Sequence, residues 1–164
     1  DLILIGKRGE AADFAKMHLG SNLERVVRSA RKPVLVASRA FKPINKFLIA
    51  FDGGESAMKA VRHIASGKLF TGLPCTLLSV GKANDTLQQK LDEATAILRK
   101  AGYEVDAGFA TGEPEDVIKD KIEADGIDLL VMGAYGHSRI RNMIIGSTTT
   151  EMVRSCQVPV MMFR

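Results

Sequence analysis

The chain of 164 residues has no tryptophan, two tyrosines, two cysteines, and only 5% aromatic residues in all. Without interleaved aromatics it offers no stacking platform for single-stranded nucleic acid. Its net charge of +4 is spread along the sequence rather than gathered into a basic run. That balance favours an anionic small ligand over a nucleic-acid partner. Two cysteines, Cys75 and Cys156, supply neither a disulfide framework nor a metal site, and both read as small core residues. No apolar run approaches the ~20 residues of a membrane-spanning helix, and nothing resembles a signal peptide. A cytoplasmic location without membrane attachment is therefore expected. Also missing are a Gly-x-x-x-x-Gly-Lys-Ser/Thr run and a Gly-x-Gly-x-x-Gly after the first strand, which weakens the common kinase, NTPase and dehydrogenase readings. No nucleophile–base pair is visible at local spacing, and His18, His63 and His137 form no obvious relay.

What is present is a soluble globular composition, 46% hydrophobic and 26% charged, long enough to bury a core. The informative stretch is Asp128 to Arg164. It reads as a buried strand, a glycine-marked loop, a helix opening at Gly146-Ser147, and a last strand after Pro159. Gly133-x-x-Gly136 is followed by nine residues and then Gly146-Ser147. Glycines let backbone approach a ligand, and a helix N-terminus presents unpaired N–H groups to an anion. A phosphate cradle is one reading; two nearby glycines equally mark a plain turn. Ser147, Thr148 and Thr149 serve either as helix caps or as hydroxyl donors to phosphate. His137, Arg139 and Arg141 lie between, where positive charge suits a polyphosphate and a solvated face explains it equally.

Residues 1–37 repeat residues 128–164. DLILIG matches DLLVMG, Gly20-Ser21 and Pro33 keep the spacing of Gly146-Ser147 and Pro159, and Val27-Arg28-Ser29 matches Val153-Arg154-Ser155. Internal repeats come before any other fold argument. Residues 1–41 therefore read as the C-terminal part of a first domain whose front half is absent from this sequence. Residues 42–45 read as a linker and 46–164 as a complete domain.

Within 46–164, apolar runs of strand length alternate with helical periodicity. Strands are expected at 46–51, 76–80, 104–110, 128–132 and 160–163, with the third at an edge. Helices are expected over 55–69, 87–101, from 114 to before Gly126, and 147–155. This alternation predicts an α/β fold, a doubly wound five-stranded parallel sheet of order 3-2-1-4-5. Ligands bind such sheets beyond the carboxyl ends of the strands, where the order reverses. Asp52 and Gly133 end the two strands that flank that point. Asp52 suits a ribose hydroxyl or a metal-held water, or is simply a turn or cap residue. Val80 ends the second strand, where backbone groups could read an adenine edge.

The segments FLIAFDGGESA, DLLVMGAYGHS, GSTTTEMV and CQVPVMMF resemble the universal stress protein family over all of 46–164, and 1–37 resembles the closing third of a second such domain. The Gly-x-x-Gly, nine-residue, Gly-Ser spacing is that of the family's ATP-binding members. The resemblance implies Asp52 and Val80 at the ribose and adenine end. It places Gly133, Gly136, Gly146, Ser147 and Thr148 around the phosphates, with Mg²⁺ or Mn²⁺ bridging them, and Met132 and Thr149 beside them. It further implies a homo-dimer, or a tandem pseudo-dimer, in which Val34–Ala37 meets Val160–Phe163. Gly54 departs from the family's frequent serine. The N-terminal fragment departs more, with ten residues between Gly9 and Gly20 and no strands to supply the Asp and adenine contacts. One site is expected, in 46–164. The function implied is an ATP-binding regulatory stress-response protein with slow or no hydrolysis. The alternatives are a metal-dependent ATPase or phosphotransferase using Asp52, and a nucleotide-independent dimeric scaffold.

Overall fold

The computed structural model describes residues 1–6, 21–38, 41–134, 152–153 and 155–164. Its strands are β1 (Ile3–Gly6), β2 (Val34–Ala37), β3 (Phe47–Ala50), β4 (Cys75–Val80), β5 (Val105–Ala110), β6 (Leu129–Gly133) and β7 (Val160–Phe163). Its helices are α1 (Ser21–Ser29), α2 (Glu55–Ser66), α3 (Asp85–Lys100) and α4 (Pro114–Asp125). Met152, Val153 and Ser155 are also helical.

The sheet has seven strands in the order β1-β2-β7-β6-β3-β4-β5. Its last five, β5-β4-β3-β6-β7, run all parallel in the expected 3-2-1-4-5 sequence. The difference from a five-stranded parallel sheet lies at the other end. There β2 joins β7 antiparallel, with Val34 opposite Met162 and Val36 opposite Val160, and β1 joins β2 parallel. The result is one mixed sheet.

The sequence repeat is repeated in geometry. Ile3 pairs with Val34 as Leu130 pairs with Val160. The Ile3 N–H donates to the Pro33 carbonyl at 2.9 Å, and the Leu130 N–H donates to the Pro159 carbonyl at 3.0 Å.

Right-handed crossovers put the helices on the two faces according to the direction in which the chain moves across the sheet. From β3 toward β5 the connections are α2 and α3, whose Ala57, Val61, Leu91 and Leu98 pack on Phe47, Ile49 and Leu77. From β5 back to β6 the connection is α4, and its Ile118 and Ile122 join Leu48, Leu130, Met132 and Val36 on the opposite face. Both faces of β3 and β6 are covered, so their residues read as continuous apolar runs rather than alternating ones. β5 lies at the edge, and only Val105 of its six residues is buried. Cys75 and Cys156 are buried and unbridged, as their reading as core residues anticipates.

Helix limits follow local chemistry. The Asn84 side chain caps α3 by accepting the Leu87 N–H at 2.9 Å. Pro114 opens α4 and Gly126, at φ 62°, closes it in the left-handed conformation. α2 ends at Ser66 rather than reaching Leu69, whose side chain is exposed.

Candidate functional site

β3 is the first strand of the parallel unit, with β4 on one side and β6 on the other. α2 leaves β3 on one face of the sheet, whereas Met152 and Val153, which follow β6, pack with α4 on the other, so the carboxyl ends of β3 and β6 form a switch point of the kind that carries a ligand crevice in such sheets. The register sets Ala50 opposite Met132. Asp52 and Gly133 therefore emerge at the same end of adjacent strands. Val80 closes β4 at that end, half-buried and packed against the core beneath the edge. Met132 is buried, its side chain committed to the α4 face. Gly136, Gly146, Ser147, Thr148 and Thr149 lie outside the described residues.

Asp52 is exposed, and its Oδ1 accepts the Gly54 N–H at 2.8 Å. This is an Asx turn, so the structural reading of Asp52 holds in this chain. It leaves Oδ2 with no hydrogen-bond partner among the described residues. The turn leads straight into α2, whose cap residue Gly54 makes no side-chain capping bond. The first-turn N–H groups of α2 are thus not covered by their own cap and favour negative charge nearby.

Gly133 has a structural reason of its own. A Cβ there would lie 3.0 Å from Ser56 Cβ and 3.2 Å from Ala57 N. The end of β6 lies close against the first turn of α2, and a Cβ at 133 would require that turn to give by a few tenths of an ångström. The residue sequence reasoning assigned to a ligand therefore also sets the spacing between β6 and α2.

One contributor, Lys90, went unread in the sequence. The Lys90 ammonium of α3 donates to the Gly53 carbonyl at 2.8 Å. Gly53, at φ 70°, packs under Leu87 and Lys90. A lysine on the solvent side of an amphipathic helix carries no local signal of such a contact.

A groove of about 450 Å³ lies apart from this crevice, between α4 and the edge strand, lined by Thr76, Leu78, Asp106, Gly108, Val117 and Lys121 among others. Lys121 pairs with Asp125 at 2.9 Å, and their hydrogen bond raises the lysine pKa and lowers that of the carboxylate. Neither Asp52 nor Gly133 borders the groove. It does not coincide with the candidate site.

The fold is that of a doubly wound α/β protein, with the candidate site at its topological switch point. The Universal stress protein family profile matches residues 43–164, and the chain belongs to that family. A universal stress protein of Synechocystis is 44% identical over 166 residues, covering 100% of this chain and 58% of the relative. The chain thus spans little more than half of that relative's length. The crystal structure of a universal stress protein from Archaeoglobus fulgidus superposes with a TM-score of 0.75 at 27% identity, covering 99% of this chain and 62% of that one. A universal stress protein solved in complex with cAMP superposes with a TM-score of 0.62 at 21% identity, covering 75% of this chain and 98% of that one.

Proposed function

We propose that residues 46–164 form an adenine-nucleotide-binding regulatory domain of a cytoplasmic stress-response protein, with ATP as its ligand and slow or no hydrolysis. The observation that carries this reading is the emergence of Asp52 and Gly133 at one crevice, on either side of the uncapped start of α2. In this reading Asp52 and Val80 hold the ribose and adenine end. Gly133, Gly136, Gly146, Ser147 and Thr148 surround the phosphates, and Thr149 and the backbone of Met132 complete the nucleotide-binding set. Solved relatives support the ligand class: besides the cAMP complex, one from Archaeoglobus fulgidus is in complex with dAMP and one from Arabidopsis thaliana has AMP bound. Among the described residues no three His, Cys, Asp or Glu side chains gather into a metal site. In this reading Mg²⁺ or Mn²⁺ is carried by the phosphates.

The same proposal takes residues 1–41 as the C-terminal part of a first domain, 42–45 as a linker, and β2–β7 as the join of a tandem pseudo-dimer. The matching registers of β1–β2 and β6–β7 support it.

Calorimetry with ATP and AMP tests the nucleotide reading. Gly146→Val is the variant of choice, because a side chain at Gly133 would also crowd the first turn of α2 whatever the ligand. We expect the wild-type protein to bind and Gly146→Val to lose at least tenfold in affinity, as one misplaced phosphate contact costs on the order of 1.4 kcal/mol or more. Equal affinity in the two would overturn the assignment. A second reading, a nucleotide-independent scaffold, is favoured by the continuous β2–β7 ladder. It becomes the better one if Gly146→Val remains functional in cells.

A further inference from the structure

The turn that presents Asp52 is held from two sides. Within it, the Gly54 N–H donates to Asp52 Oδ1 at 2.8 Å. Above it, Lys90 Nζ donates to the Gly53 carbonyl at 2.8 Å. A Cβ on Gly53 would come within 2.8 Å of Leu87 Cδ1 and 3.3 Å of Lys90 Cδ, so α3 stands directly on the turn.

Gly54 is a different case from Gly53. Its φ of −76° is open to any residue, so no backbone strain demands glycine there. What a Cβ would strike is the Asp52 carboxylate itself, at 2.8 Å from Oδ1 and 3.2 Å from Oδ2. An exposed carboxylate yields more readily than backbone. A side chain at 54 would therefore turn Asp52 out of its fold-back position and leave the chain path unchanged.

A carboxylate that grips both hydroxyls of a ribose offers one oxygen to each. In this chain the Gly54 N–H takes one lone pair of Oδ1 and draws that oxygen toward the turn, so Oδ2 is the oxygen with its acceptor sites open. We propose that Gly54 and Lys90 are positioning residues that determine sugar specificity: they hold Asp52 folded back so that it takes one ribose hydroxyl rather than both. The proposal rests on the reading of Asp52 as a ribose contact. Lys90 acts by fixing the Gly53 carbonyl, and Gly54 by having no atom where the carboxylate lies.

The test is calorimetry with AMP, 2′-deoxy-AMP and 3′-deoxy-AMP on wild-type protein, Gly54→Ser, Lys90→Met and Lys90→Arg. In the wild type, one deoxy analogue should bind within about twofold of AMP and the other about fivefold or more weaker, the effect of one hydrogen bond. In Gly54→Ser, where the carboxylate swings out, both analogues should be weaker than AMP. Lys90→Met keeps the stem packed on Gly53 but loses the hydrogen bond. It should shrink the difference between the two analogues, and Lys90→Arg should restore it. Gly54 amide exchange in the nucleotide-free protein should accelerate in Lys90→Met, which a ligand-contact role for Lys90 would not produce. Equal loss on removing either hydroxyl in the wild type overturns the proposal, as does an unchanged pattern in Gly54→Ser. Absence of any AMP binding by the wild type would instead bring down the nucleotide reading, and this proposal with it. AMP binding with the wrong hydroxyl pattern overturns this proposal alone.

Discussion

At the scale of single residues, burial and hydrogen bonding make two side chains accountable in measurable ways. Asp128, half-buried ahead of β6, accepts the N–H groups of Asn45 at 2.9 Å and Lys46 at 3.2 Å through one carboxylate oxygen. It thereby fixes where β3 begins. Asp128→Ala should cost about 1 to 2 kcal/mol in urea unfolding, and Asp128→Asn less, because the amide keeps an acceptor there. Cys75 is buried in the layer under α2 and α3, and that burial pushes its thiol pKa from 9.0 to about 12. The unfolded chain then gives up the proton first. Stability from this group is complete below about pH 9 and falls as pH rises toward 12, by up to about 1.4 kcal/mol per pH unit. The Tyr103 hydroxyl, also raised chiefly by burial, adds a slope of the same sign. Cys75→Ala should be the less stable protein at pH 7, from the lost packing, and the gap to wild type should narrow between pH 9 and 11. A gap that stays constant over that range would show that the thiol does not ionise on unfolding.

At the scale of elements, α3 links helix capping to the candidate site. Its first turn is closed by Asn84, and the next residues inward, Leu87 and Lys90, bear on Gly53. Asn84→Ala should lower stability by about 1 kcal/mol. It should also raise amide exchange at Gly53 and Gly54 more than at the C-terminal turns of the same helix. The elements themselves were largely legible in the sequence. Phe47–Ala50 and Leu129–Gly133 are apolar throughout because both of their faces are covered, and Gly126 and Pro114 mark helix limits through their own backbone chemistry. The site was legible only in part. Asp52 and Gly133 could be placed at strand ends, because strand order follows from alternation and handedness. That Gly133 yields room to Ser56, that Lys90 holds Gly53, and that Asp128 pins Asn45 are contacts between residues distant in the chain. Periodicity carries no information about them. Periodicity did not show the width of the sheet; only the family resemblance implied that Val34–Ala37 meets Val160–Phe163, as β2 and β7 do. Apolar patterning marks β2 as a strand, but its pairing with β7 depends on which strand edges are free in the folded molecule.

At the scale of the whole molecule, β2 is the hinge of the arrangement. It lies between β1, which it joins parallel, and β7, which it joins antiparallel, and every link from residues 1–6 to the rest of the sheet passes through it. Val36 is buried at its centre, opposite Ile5 on one side and Val160 on the other. Proline removes an N–H and does not fit a strand flanked on both sides. Val36→Pro should therefore cost the N-terminal strands on the order of 3 kcal/mol, a large fraction of a domain's net stability. The pairing of the five strands from β5 to β7 does not use that ladder, although Val34 and Val36 share a buried cluster with Ile118 and Ile122 of α4. If 46–164 is a domain in its own right, amide exchange in Val36→Pro should lose protection in β1 and β2 while β3, β4 and β6 keep theirs. Urea unfolding followed at Tyr103, which packs edge-on to Phe47 at a ring distance of 5.9 Å, should keep its cooperative transition. Simultaneous loss of protection across all seven strands would mean that the sheet is one cooperative unit, and the division at residues 42–45 would have to be abandoned.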